Sequence, residues 1–179
     1  MPNRTLVIAL ALLGFAALLL GGGIVLSMFL ATGTGAQPAA NATPTGPPNI
    51  ANGESIYSTG KNLNGDVIVH IGGPLRGNLA RVPLPCVGCH GPQGHGGIIG
   101  VMFYQIDVPS ITWDVLTNPA PTGPDRLETR PAYSEQTVKR AITDGINSSG
   151  GQMDPYSMPR YSLGANDLND LVGYLKTLH

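Results

Sequence analysis

Apolar and polar positions divide the chain into three stretches of different character. Residues 6–31 run through 26 positions without a charge and consist largely of Leu, Ala, Ile, Val and Gly, enough to cross a hydrocarbon core of about 30 Å. The pattern predicts one N-terminal transmembrane helix behind a cytoplasmic tail at 1–5, because Arg4 supplies the only side-chain positive charge ahead of it and positive flanks stay inside. A cleaved signal peptide is the competing reading, with Thr34-Gly35-Ala36 before Gln37 as its cleavage site, but the run is longer than the usual signal core of about 7–15 residues. Gly14, Gly21, Gly22 and Gly23, with Ala17, would let a neighbouring helix pack closely on such a span. Residues 32–50 carry no charge, little apolar bulk and repeated Pro and Gly. That is the composition of a linker, with a reach of about 25–55 Å.

The remainder, 51–179, has the size of one domain and shows helical periodicity in three places. Asn52-Gly53-Glu54-Ser55-Ile56-Tyr57 reads as a short helix ended by Gly60. A second begins at the capping residue Ser134, sets Val138, Ala141 and Ile142 on one stripe and ends at Gly145. The third runs from Ala165 or Asn166 to the carboxyl end, with Leu168, Leu171, Val172, Leu175 and Leu178 at helical spacing and Asp167 and Asp170 in its first turn. Residues 66–71 alternate before Gly72-Gly73-Pro74, which predicts a small β-hairpin. Residues 91–133, with repeated Gly and Pro, predict loops.

Charge narrows the function classes. The chain holds 10 Lys and Arg against 11 Asp and Glu, so nothing in it suits nucleic-acid binding. No paired-carboxylate site or nucleophile–base motif stands out, and no substrate chemistry of its own is expected.

The chemistry sits in Cys86-Val87-Gly88-Cys89-His90, and these are the only two cysteines in the chain. Cys-x-x-Cys-His is the attachment signature of a c-type haem. Thiols two residues apart lie about one helical turn from each other and can both add to the vinyl groups on one porphyrin edge, while the following imidazole reaches iron. Gly88 and Gly91 leave room for a flat macrocycle. Three other readings compete. A zinc site would find only His95 nearby as a further donor. A thioredoxin-like dithiol lacks its βαβ context, and a disulfide across two residues is strained. The expectation is one covalent haem c, on the extracytoplasmic side of a bacterial inner membrane, where such attachment takes place.

The order of Cys86 to His90, then Ala141-Ile142-Thr143-Asp144-Gly145, then Met158-Pro159-Arg160-Tyr161-Ser162-Leu163, then an amphipathic closing helix, resembles a class I cytochrome c over roughly 51–179. The resemblance implies a mostly α class I cytochrome c fold, here with a small β-hairpin insertion and preceded by the transmembrane helix. It also implies single-electron transfer. The family places its axial thioether just before a proline, which makes Met158 the sixth iron ligand opposite His90; Met153 and His70, His95 or His179 are the alternatives, and a methionine ligand raises the potential. First and last helices cross in this family, with Gly53, Tyr57 and Tyr174 as the matching contacts. The 28 residues between Tyr57 and Cys86 depart from the usual short connection. Trp113, Tyr133, Arg126 and Arg130 are candidates to meet the haem propionates. The arrangement is similar to the anchored monohaem subunit of alternative complex III, which implies as partners the membrane, the subunits of a quinol-oxidising complex and a downstream acceptor such as an oxidase, small redox protein or reaction centre. A freely diffusing anchored carrier is the alternative, and an open-site haem sensor or peroxidase-like enzyme is the reading from another class.

Overall fold

Helix α1 (Ile50–Thr59) starts where the Asn49 side chain accepts a hydrogen bond from the Asn52 backbone N–H at 3.3 Å, and stops at Gly60 in the left-handed conformation at φ 68°. Asn49 takes the capping role, and Asn52, placed at the helix start by the sequence reading, lies inside. In the computed structural model, residues 43–74, 82–101, 104–118, 120–122 and 128–179 are described, all within the unit Pro38–His179. α1 turns its buried residues Asn52, Gly53, Ile56 and Tyr57 toward α5 (Ala165–Leu175), whose buried face is Leu168, Asp170, Leu171, Val172, Gly173 and Leu175.

The two helices meet at glycine. A Cβ on Gly53 would collide with the Asp170 carbonyl and lie 2.8 Å from Tyr174 Cβ, and one on Gly173 would lie 2.5 Å from Pro48. Tyr57 and Tyr174 pack beside the crossing with ring centroids 5.3 Å apart, so Gly53, Tyr57 and Tyr174 are the contact residues. Burying the Asp170 carboxylate is tolerable because it is fully engaged. It accepts the Asn49 N–H at 2.7 Å and the Asn52 amide at 2.8 Å. Asn52 also donates to Asp167 and accepts the Leu63 N–H, both at 2.8 Å. Residues at the end of the expected linker lie on the same helix, where the Thr45 N–H donates to Asn166 at 2.9 Å.

Helix α4 (Glu135–Asp144) has the full capping box, Ser134 and Thr137 satisfying each other's backbone N–H groups, and ends at left-handed Gly145. Val138 and Ile142 carry its buried stripe. Glu135 ties it to the far end of the chain, accepting Lys176 at 2.6 Å and Lys139 at 2.9 Å. Two short helices precede it, α2 (Val87–His90) and α3 (Trp113–Thr117).

Strands depart from the sequence reading. β1 (Val69–Ile71) does not form a local hairpin; it pairs antiparallel with β6 (Arg160–Ser162), His70 opposite Tyr161. Its alternation places His70 inside and leaves Val69 and Ile71 exposed. Where loops were expected, β2 (Gly97–Val101) and β3 (Tyr104–Val108) form a hairpin, and β4 (Ala120–Thr122) pairs with β5 (Glu128–Arg130). The expectation of a mostly α fold with one small hairpin behind a transmembrane helix is therefore corrected. The described residues combine five helices with three two-stranded ribbons. The longest of these helices, α5, has 11 residues, where a span needs about 20, and none is long and apolar enough to cross a membrane. Residues 6–31, to which the span was assigned, lie outside the described residues.

Two outcomes follow from this packing. Gly53→Ala is expected to destabilise the domain by about 1–3 kcal/mol through overpacking, read by urea unfolding, while Gly100→Ala, where a Cβ meets nothing within 4 Å, stays near wild type. Hydrogen bonds from Lys176, then Lys139, hold the Glu135 carboxyl below its ordinary range. A depressed carboxyl contributes stability above its unfolded pKa and loses it as pH falls through the folded one. Glu135→Gln should thus cost less than about 1 kcal/mol near neutral pH, and its urea midpoint should converge on that of wild type in acid.

Candidate functional site

A cavity of about 640 Å³ opens between α2, the β3 end, α4, α5 and the segment before β6. Its size falls within the usual range of ligand sites, about 300–1,000 Å³. Apolar side chains such as Leu84, Ile111, Leu116, Ile142 and Leu175 make most of its wall.

One short helix brings in the reactive groups. α2 is a single turn, closed by the His90 N–H on the Cys86 carbonyl at 2.9 Å and ended by Gly91 at φ 74°. Cys86 and Cys89, three residues apart, share a helix face, and both line the cavity as free thiols. Burial pushes the Cys86 thiol up to about 12 and raises that of Cys89 as well. Neither is an activated thiolate, which speaks against a redox dithiol. Among the described residues no cluster of three or more His, Cys, Asp or Glu is placed to hold a metal ion, so the zinc reading finds no further donors.

His90 lines the same cavity and is buried, with Nδ1 3.0 Å from the Pro109 carbonyl oxygen. A carbonyl only accepts, so Nδ1 carries the proton and Nε2 keeps a free lone pair. Burial lowers the imidazole pKa, with the Pro109 carbonyl pulling the other way, so the ring is neutral, the form that ligates metals.

Two tyrosines hold α2 from outside. Tyr57 on α1 donates its hydroxyl to the Gly91 carbonyl at 2.5 Å, and Tyr161 on β6 donates to the Leu84 carbonyl at 3.0 Å. Burial raises the pKa of both phenols, so they remain donors. These anchors, like the Pro109 carbonyl, were not found from sequence. A backbone acceptor leaves no side-chain signal, and a tyrosine inside a short strand carries none either.

Both methionine candidates, Met153 and Met158, line the cavity. The histidine alternatives do not. His95 and His179 are exposed, and buried His70 sets its ring nitrogens 3.2 Å from the Gly72 and Val82 carbonyls. Of the residues considered for the propionates, Arg130 and Tyr133 line the cavity, the guanidinium 5.0 Å from the ring centroid. Trp113 is not among the lining residues and packs under the Lys176 ammonium at 5.4 Å. Arg126 lies outside the described residues.

The family model for cytochrome c matches residues 84–179, more than half of the chain and all of the segment from α2 to the carboxyl end. The chain belongs to the cytochrome c family. Neither the curated proteins nor the solved structures hold a match to it. Membership implies a covalent haem c and electron transfer, and the residues present fit the group. An apolar cavity suits a porphyrin, two thiols lie on its wall, a neutral imidazole exposes one nitrogen, and thioether sulfurs come from the same lining. The cytochrome's two cysteines allow one such attachment.

Tyr161→Phe should cost the haem-loaded cytochrome about 1–2 kcal/mol in urea, because the buried Leu84 carbonyl loses its partner, and should speed hydrogen exchange at 86–91.

Proposed function

We propose that this cytochrome carries single electrons on the extracytoplasmic side of a bacterial inner membrane, with His90 Nε2 and Met158 Sδ as the atoms that would hold the haem iron. The observation that carries this reading is that one cavity gathers Cys86, Cys89, His90 and Met158. When bound, haem c supplies an iron that accepts and releases one electron. The protein's part is to hold and tune it. Cys86 and Cys89 provide the thioether links, and Pro109 fixes the tautomer and orientation of His90. As a thioether ligand, Met158 would favour the ferrous state and so raise the potential. The apolar wall would keep water away from iron, and Tyr133 and Arg130, whose guanidinium also donates to the Leu116, Pro131 and Val115 carbonyls, are the propionate partners this reading takes from the lining.

Partners follow from the same chemistry. A carrier whose iron is held by both His90 and Met158 would dock transiently, over a small interface. The uncharged apolar run at 6–31, with its close-spaced glycines, supports retention at the membrane and membership of a quinol-oxidising complex that passes electrons to a downstream acceptor. Residues 45 and 46 hydrogen-bond to α5, so this end of the expected linker belongs to the folded domain. Comigration with large subunits after mild detergent extraction is the expected result, and a lone monohaem band would overturn membership.

Visible spectra of the native protein, with and without carbon monoxide, test the ligand pair. Wild type should show the weak far-red thioether-to-ferric-iron band and ignore the gas when reduced; Met158→Ala should lose the band and bind it. A wild type that lacks the band and binds carbon monoxide would make this an open-site haem protein instead.

A further inference from the structure

The segment between α4 and β6 carries both thioethers and has almost no regular structure. Its internal ties are all local: a bridge between Ile146 and Gln152, a turn closed on Asn147 by the Ser149 and Gly151 N–H groups, and a turn in which Asp154 accepts the Tyr156, Ser157 and Met158 N–H groups. Such a loop cannot by itself decide which of two sulfurs, five residues apart, stands at a given point in the cavity.

One side chain grips both ends. Nη1 of Arg160 donates to the Met158 carbonyl at 3.0 Å, and Nη2 donates to the Met153 carbonyl at 2.5 Å and to Gln152 Oε1 at 3.1 Å. The guanidinium lies against Gly145, where a Cβ would collide with it, and that glycine has φ 68°. Gly145 in turn accepts the Met153 N–H at 2.8 Å. Met153 is thus held through its carbonyl by Arg160 and through its N–H by the end of α4, while Met158 is held by the same guanidinium. The rigid fork of arginine spans two acceptors in fixed geometry, which a lysine ammonium does not. Its root on β6 is fixed in turn by pairing with Ile71 of β1.

We propose that Arg160 is a positioning residue for the sixth iron ligand: its guanidinium, clamped between the Met153 and Met158 carbonyls, sets the loop so that Met158 and not Met153 reaches iron. The inference rests on Met158 being that ligand. It assigns to Arg160 a role in redox tuning that acts through the methionine rather than through contact with haem.

The test uses full-length haem-loaded protein and three variants, Arg160→Lys, Arg160→Gln and Gly145→Ala. The first keeps the charge and loses the fork, the second loses both, and the third displaces the guanidinium without removing it. All three are expected to lose most of the far-red thioether band, to gain carbon monoxide binding in the ferrous state and to show a lowered midpoint potential. Ser134→Ala, which loses the N-terminal cap at the other end of α4 from Gly145, should keep the wild-type band and potential, which separates positioning from general loss of stability. Retention of the band and potential in Arg160→Gln, or their retention in Arg160→Lys alone, would overturn the clamp, the latter by showing that charge suffices. Should Met158→Ala keep the band, the ligand assignment fails whatever the Arg160 variants do; should it lose the band while the Arg160 variants keep it, only the clamp fails.

Discussion

A four-residue helix cannot hold itself, and this chain places its chemistry on one. Forming a single turn fixes several backbone dihedrals for one or two hydrogen bonds, yet α2 must present two thiols and an imidazole to the same cavity. Its geometry is therefore imposed from outside. Tyr57 takes the Gly91 carbonyl just after it, Tyr161 takes the Leu84 carbonyl just before it, and Pro109 receives the His90 ring proton. Those three partners come from a first helix, a last strand and the end of a hairpin, so most of the fold bears on the placement of five residues.

The α1–α5 crossing is the base of that arrangement. Gly53 lets the helices approach until Tyr57 packs on Tyr174 and reaches Gly91. Asp170, buried at the crossing, is satisfied by hydrogen bonds from Asn49 and Asn52. On the other side of α5, Leu171 and Leu175 belong at once to the hydrophobic core and to the cavity wall, as do Val138 and Ile142 of α4. Core and site are one structure. Burying apolar surface is the main favourable term in folding, and here part of that surface faces a space sized for a ligand, so the haem completes the core as well as supplying the redox chemistry.

The methionine segment presents the opposite problem. Where α2 has too few residues to hold itself, the segment from 146 to 159 has too little regular structure, and it is fastened by side chains and glycine contacts. Gly72 fits against Pro155 where a Cβ would collide with its carbonyl, and the Gly73 N–H donates to that same carbonyl at 2.8 Å. The unusual stretch between α1 and α2 therefore buttresses the methionine segment, both through β1 pairing with β6 and through Pro155. Its role there is structural, holding the methionine segment in place.

Local signals in the sequence determined the three long helices and the cofactor. Ser134, Gly60 and Gly145 act within one turn of the residues they cap, and the Cys86-to-His90 spacing is itself a statement about a single turn. Gly53, Tyr57 and Tyr174 were legible through a family pattern rather than through local physics. Tertiary structure alone decided the strand partners, the hairpin at 97–108 and the set of residues that meet in the cavity. β1 alternates, but alternation cannot name a partner some ninety residues away, and in the fold its buried position is the polar His70 and not the flanking valine and isoleucine. Along the chain Met158 differs from Met153 by the proline that follows it; that one guanidinium bonds the backbone carbonyls of both emerges only in the fold, because carbonyls carry no side-chain identity for a sequence to reveal.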